Sequence, residues 1–392
     1  MTYDYDVIVV GARVAGASTA MLLARCGHRV LLVDRATMPS DTLSTHALLR
    51  TGVLQLTRWG LIDRVIAAGT PPVRDITLGF GEERIPFEVR PDYGIDTFYA
   101  PRRHILDAMI VEAAVADGVE FRGGLRMVGL LRDDDGRVSG AEIADGATQE
   151  RVSARMVIGA DGHQSRVASL VDAVDLDSHP ATNSVHYAYF NGVEASGFWF
   201  FFAPGVNAGL IPTNDGQTLV FAARPRALFG RFQSDPDGEL MRLLRLAGND
   251  LAEVVGRGER ASGFRGTRGL TGHIRHAWGP GWALVGDAGY TKDPISAHGI
   301  SDALRDAELC ARAVDAALVD PGEEQVAMRR YQSRRDSLSM TMYEESRALA
   351  SYHWDPSEAS IRMRRISESV REECEAIVAL PEWPAVRLSV GV

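Results

Sequence analysis

The chain has 392 residues, 45% hydrophobic and 24% charged, which is the balance of a soluble globular enzyme and long enough for two domains. A net charge of -10 and a pI near 5.5 argue against nucleic acid as the main partner. Basic charge is almost all arginine: Lys292 is the single lysine, so chemistry that needs a lysine has one candidate.

Cys26, Cys310 and Cys374 lie far apart and form no CxxC or Cys/His cluster. That pattern points to neither a zinc site nor a disulfide framework, and it fits a reducing cytoplasm. The opening "MTYDYD" lacks the positive region of a signal peptide. No run of eighteen apolar residues occurs, so no transmembrane segment is expected. Composition leaves monomer and homodimer both open.

In chain order, residues 5–10 read as a short buried strand and Val14 to about Cys26 as a helix ended by Gly27. "HRVLLVDR" reads as a second strand closing on Asp34. Residues 45–68 read as helical, and 73–100 as strand-like with Pro and Gly breaks. "PRRHILDAMIVEAAVADG" reads as an amphipathic helix with Ile105, Leu106, Met109, Ile110, Ala113 and Ala114 near one face. "LRMVGLLRDDDGRVSGAEI" reads as a hairpin around "DDDG", a solvated turn. "RMVIGADG" is another buried strand running into a turn. From 176 to 275 helical periodicity weakens and aromatic strand segments predict an antiparallel sheet. "GWALVGDAGYTKDPISAHGISDALRDAELCARAVDAAL" restores strand, loop and helix, and 323–350 and 357–378 read as C-terminal helices.

Three glycine-acid motifs stand out. The first is "DVIVVGARVAGAS": strand, glycine turn and helix, with Gly11 and Gly16 in the places of a G-x-G-x-x-G dinucleotide fingerprint. Gly11 permits a sharp turn, Gly16 lets helix and sheet pack closely, and the helix N-terminus offers N–H groups and positive dipole to a pyrophosphate. Asp34 follows 23 positions after Gly11, near the spacing of a ribose-binding acid. The middle glycine is replaced by Arg13, which either bonds a phosphate or faces solvent. The second motif is "IGADGHQSRV", with Asp161 and Gly162. The third is "LVGDAGYTKDPISAHGI", with Gly286, Asp287, Pro294, Gly299 and Ile300.

In this order and at these intervals, over about residues 5–320, the motifs resemble those of FAD-dependent monooxygenases of the para-hydroxybenzoate hydroxylase type. The wider superfamily holds geranylgeranyl reductases and flavin-dependent halogenases. The resemblance implies an α/β fold: a three-layer, Rossmann-like FAD-binding domain, an inserted antiparallel β-sheet substrate domain, and C-terminal helices. The expected boundaries are 1–73, 101–175 and 272–345 for the first, 74–100 and 176–271 for the second, and 346–392 for the helices. It implies FAD as cofactor and NADPH or NADH as transient reductant, with the DG motif involved with both. It also implies that Asp287 holds the ribityl hydroxyls and that Gly299 brings a helix dipole to the pyrimidine end of the flavin. Arg103 matches the family arginine that contacts FAD, with Arg102 as near alternative, and Arg35 beside Asp34 joins the cofactor contacts. The third motif departs from the family at Tyr290, Ala297 and Ser301.

Oxygen transfer in that family comes from a flavin C4a-hydroperoxide, so no protein nucleophile or triad is expected. His46 and His298 are the candidate catalytic side chains: His46 against the plainer reading of a polar residue at a helix start, and His298 as the neighbour of Gly299 in the flavin loop. In "GFWFFFAPG" a strand puts Phe198, Phe200 and Phe202 on one face and Trp199 and Phe201 on the other. The first face, with Tyr290, is the candidate substrate wall; core packing is the alternative. The expected activity is hydroxylation or epoxidation of an apolar aromatic or polycyclic small molecule with O2. A reductase of the geranylgeranyl type is the alternative. A halogenase ranks below both because no W-x-W-x-I-P occurs and Lys292 lies in the flavin loop. A non-catalytic FAD-binding paralogue is the fourth reading.

Overall fold

The computed structural model describes residues 3–383 apart from Ala147. Strand β1 (Tyr5–Val10), helix α1 (Val14–Arg25) and strand β2 (Val30–Asp34) open the chain. Residues 7–10 and 30–33 of these strands are unbroken apolar runs because both their faces are covered. Val7, Val9, Val30 and Leu32 enter one core, and Ile8, Val10, Leu31 and Val33 enter another. Helices α2 (Arg50–Arg58) and α3 (Ile62–Ala67), strands β3 (Asp75–Phe80) and β4 (Glu83–Glu88), and helix α4 (Arg103–Ala116) follow. Then come β5 (Glu120–Gly123), β6 (Arg126–Arg132), β7 (Val138–Ala144), β8 (Gln149–Gly159), the short α5 (Arg166–Leu170) and β9 (Asp175–His179).

The middle of the chain holds β10 (Asn183–Asn191), β11 (Phe198–Ala203), β12 (Val206–Pro212) and β13 (Thr218–Pro225). Helices α6 (Gly230–Ser234), α7 (Pro236–Ala247) and α8 (Asn249–Gly256) come next. Short strands β14 (Glu259–Arg260), β15 (Arg265–Thr267), β16 (Gly272–Arg275), β17 (Trp278–Gly279), β18 (Trp282–Leu284) and β19 (Tyr290–Thr291) lead to three long helices. These are α9 (Gly299–Val319), α10 (Glu324–Ala350) and α11 (Pro356–Val378).

The first sheet has the order β17-β18-β8-β1-β2-β5, with the β6–β7 hairpin branching from β8. Its centre is parallel: β1 pairs with β2 and β8, and β18 with β8. Helices α1, α4 and α9 pack together on one face. Met127, Val138, Ala141 and Ile143 of the hairpin cover the other. This is the three-layer α/β arrangement expected. The second sheet, β14-β10-β13-β12-β11-β3-β4, is antiparallel except where β11 meets β3. One of its faces presents Tyr187, Tyr189, Phe198 and Phe221 to the core of the first sheet. The other face carries Phe201 and Leu210 against Leu240, Leu243, Leu244 and Leu251 of α7 and α8.

Two expectations need correction. The region 176–275 is not sheet throughout, because α6, α7 and α8 lie inside it and cover the outer face of the sheet. Their signal was present: Asp235 caps α7, Pro236 opens it, and the leucines recur at helical spacing. The helix expected from residue 45 begins only at Arg50; His46 before it has a φ of 66° and stays outside any helix.

Candidate active site

The parallel strands of the first sheet end side by side, and the chain leaves them at Gly11, Asp34, Ala160 and Val285. In open α/β sheets ligands bind outside these carboxyl ends. A cavity of about 1190 Å³ lies there, above the roughly 300–1,000 Å³ of a pocket for a drug-sized ligand. All three glycine-acid motifs contribute to its wall, together with residues 42–47 and Arg103 at the start of α4.

The glycines divide into two kinds. Gly11 has a φ of 104°, and a Cβ there would overlap the carbonyl oxygen of Ala160. A Cβ on Gly16 would overlap the carbonyl oxygen of Gly11, and one on Gly286 would stand 2.7 Å from Cβ of Ala15. These glycines serve packing, and Gly16 and Gly286 do not line the cavity. Gly299 is the opposite case. It lines the cavity, and a Cβ there would meet no protein atom within 4 Å. Its bareness leaves room on the cavity side.

Two helices begin at the cavity, α1 beside Arg13, Val14 and Ala15, and α9 at Gly299 and Ile300. Neither has a side-chain cap. Each therefore presents unsatisfied N–H groups and the positive end of its dipole to whatever fills the space.

Asp34 ends β2 with one carboxylate oxygen accepting from the N–H of Ala12 at 2.7 Å and the other from that of Ala36 at 2.7 Å. Asp161 takes the hydroxyl of Ser165 at 2.5 Å and the N–H of Arg166 at 2.6 Å, so it also shapes its own turn. The guanidinium of Arg13 points away from the free helix end. It donates to the carbonyl of Ser40 at 2.7 Å and to Asp107 at 2.8 Å. Arg103 grips the same carboxylate at 2.9 and 3.1 Å. Asp107, fully buried, thus ties the fingerprint loop to α4. Its signal was the i, i+4 pairing in "RHILD". The φ of Arg13 is −81°, a conformation open to any side chain, so this turn does not require the missing middle glycine.

Asp287 is accessible from the cavity, yet the surrounding protein raises its carboxyl pKa, with Lys292, Arg103 and His163 acting in the other direction. Lys292 also lines the cavity and pairs with Asp302; burial and the nearby Arg305 lower its ammonium to about 7. Burial raises Asp293 to about 6 against the opposing hydrogen bonds of Asn183 and the Ile295 N–H.

His46 lines the cavity with no solvent exposure. Its Nε2 lies 2.5 Å from the hydroxyl of Tyr189, the two rings are stacked within 3° of parallel, and Tyr187 meets it edge-on. Burial, then Arg103, lowers the imidazole to about 3, so it is neutral across the physiological range. Its Nδ1 is buried without a partner among the described residues.

Arg35, Pro294, Ile300, Gly162 and Tyr290 also reach the cavity. His298 does not; its Nε2 lies 2.7 Å from Glu373, with the imidazole 1% exposed. Phe198, Phe200 and Phe202 do not line it either. Phe198 belongs to the main core and Phe202 to a cluster with Phe80 and Trp354, so for these two the packing alternative describes their position. Sequence reasoning passed over Asp107, Tyr187, Tyr189, Asp302, Arg305 and Glu373. Asp107 had a local signal in its i, i+4 partner Arg103, and Asp302 had one in its i, i+3 partner Arg305.

The FAD binding domain family matches residues 4–346. The chain belongs to this family. It is an FAD-dependent oxidoreductase, and the uncapped helix ends, the bare Gly299 and the Asp34 carboxylate fit such a dinucleotide. Digeranylgeranylglycerophospholipid reductase 1 of Methanopyrus kandleri is 28% identical over 366 residues, covering 88% of this chain and 90% of that protein. The menaquinone reductase of Mycolicibacterium smegmatis is 27% identical over 332 residues, covering 78% and 75%. In three dimensions the chain is similar to PqsL of Pseudomonas aeruginosa, described as a probable FAD-dependent monooxygenase. The TM-score is 0.81 at 24% identity, covering 92% of this chain and 99% of that one. At that identity the likeness speaks for the fold. Among the described residues no helix is long and apolar enough to cross a membrane.

Proposed function

We propose that this protein is an NAD(P)H-dependent monooxygenase that hydroxylates or epoxidises an apolar aromatic or polycyclic small molecule with O2. The observation that carries the reading is His46, which lines the cavity as a neutral imidazole backed by Tyr187 and Tyr189 of the second sheet. An imidazole held in this way offers a flat ring and one polar edge to a ligand in the cavity. With the Tyr189 hydroxyl donating to Nε2, the neutral His46 carries its proton on Nδ1, a buried donor without a partner among the described residues. His46 would hold an oxygen of the substrate or of the flavin there. Its left-handed backbone is the kind of strain found where a side chain is held for function.

When bound, FAD supplies acceptance of hydride from the nicotinamide and activation of O2. The chain's own residues bind and orient. In this reading Asp34 takes the adenosine ribose, Arg103 the phosphate or ribityl region, Asp287 the ribityl hydroxyls, and the start of α9 the pyrimidine edge. Arg35, Arg126 and Arg166 line the cavity with no carboxylate partner among the described residues. Three arginines without a carboxylate partner among the described residues, in a chain of net charge -10, support phosphate-bearing cofactors at this opening.

A second reading, a flavin-dependent reductase, is favoured by the long matches to two reductases. One experiment separates the two. The FAD-loaded protein is mixed with NADPH, a panel of aromatic ligands and isotopically labelled O2. Ligand-accelerated NADPH consumption with label in the product is the expected result. A product that gains hydrogen and no label would establish the reductase instead.

A further inference from the structure

The start of α9 poses a problem. An N-cap residue ordinarily turns its side chain onto the first N–H groups of its own helix. His298 occupies that position and makes no such bond. Its imidazole is instead drawn 2.7 Å from Oε2 of Glu373 on α11, a residue beyond the 4–346 family match. Thr51 donates to the same oxygen at 3.1 Å, and Arg305 donates to Oε1 at 2.9 Å. Glu373 is 2% exposed and has no oxygen free of partners. Arg305 also reaches Asp302 in the first turn of α9, and Asp302 pairs with the cavity-lining Lys292.

His298, Asp302 and Glu373 bring ligand-type atoms within 4.8 Å of one another, which invites a metal. The arrangement argues against one. Arg305 donates to both carboxylates and Lys292 pairs with Asp302, so the positive charge a metal would supply is already there.

We propose that Glu373 is a positioning residue for the cofactor site: by holding His298 and Arg305 it keeps the N-terminus of α9 uncapped and aimed into the cavity, so that its N–H groups meet the flavin rather than a side chain. The inference rests on the FAD reading above. It makes α11 part of the cofactor machinery, although no atom of α11 lines the cavity.

The test compares His298→Ser with His298→Ala in the full chain. Both lose the imidazole and leave Glu373 with Arg305 and Thr51. Only serine supplies a cap. FAD affinity by flavin fluorescence and the flavin midpoint potential are measured for each. His298→Ser is expected to bind FAD about fivefold more weakly than His298→Ala, the size of one N-cap contact, while unfolding at the same or higher temperature without cofactor. Its potential should be the more negative, because a capped dipole stabilises reduced flavin less. Glu373→Gln should weaken FAD binding in the same direction. Equal affinities and potentials for the serine and alanine variants would overturn the proposal, even if Glu373→Gln fails to fold. Wild-type protein that binds no FAD would remove the cofactor reading itself, a result distinct from equality between the variants.

Discussion

The two helices that begin at the cavity reach the same electrostatic result by different means. At α1 the uncapped end rests on a strand, on Gly11 with its positive φ, and on a first turn packed against the β8 turn at Ala160. Arg13 cannot close that end because a guanidinium only donates hydrogen bonds, and its donors go to Asp107 and Ser40. At α9 the uncapped end is built from residues far apart. His298 is held away by Glu373, 75 positions later, and Gly299 is bare with open space beside it. One end is set by backbone sterics and is tight. The other is open and depends on a buried charge network. The first should therefore fail through the backbone, and the second through the ligand.

The largest effect is expected at the tight end. Gly11→Ala adds a clash with Ala160 to a left-handed backbone, so a loss of about 3 kcal/mol or more is expected with loss of FAD binding. Denaturant unfolding and flavin titration measure both, and an unchanged midpoint would remove the steric half of the contrast. Asp107→Asn comes next. It removes the charge that pairs Arg13 with Arg103 in a buried setting, with about 3 kcal/mol expected from broken buried pairs and less if water reaches Arg13, which is 26% exposed. If the contrast holds, FAD affinity falls along with stability; stability loss with unchanged affinity would show that Arg13 and Arg103 only brace the loop.

A pH experiment probes the wall between the helices. The folded pKa of His46 is depressed to about 3 from an ordinary value near 6.5. Between those values the unfolded chain binds a proton that the folded chain refuses, so the stability from neutral His46 is present above about pH 6.5 and is lost as pH falls toward about 3. His46→Asn should flatten that slope relative to wild type. Parallel stability curves would mean that His46 is not held neutral in the fold. The smallest stability effect belongs to the open end. Gly299→Ala meets no protein atom, so a change within about 1 kcal/mol is expected in the absence of cofactor, with weaker FAD binding. Undiminished FAD affinity would show that the space beside Gly299 is not used by the cofactor.

The same division governs what could be read in advance. The strand–turn–helix of residues 5–25 was legible because each step is a local preference: an apolar run, a glycine and an Ala/Leu-rich helix. The alternation in "GFWFFFAPG" correctly separated Phe198 from Phe201, since a strand must send them to opposite faces. That neither face meets the cavity was not legible, and the aromatic texture of that region concealed the leucine spacing of α7 and α8. The contact of His46 with Tyr187 and Tyr189 joins residues more than a hundred positions apart, which no local pattern announces.

By itself the sequence determined the apolar strands, the order of the three motifs and the positions where only glycine leaves room for the turn. These rest on sterics and hydrophobic periodicity between near neighbours, which need no knowledge of the remainder of the chain. Tertiary structure alone decided that Arg13 would join Asp107, that the ring of His46 would meet Tyr189, and that Glu373 would draw His298 off its own helix. A buried charge or donor takes whichever partner the fold brings within about 3 Å, and separation along the chain places no limit on that choice.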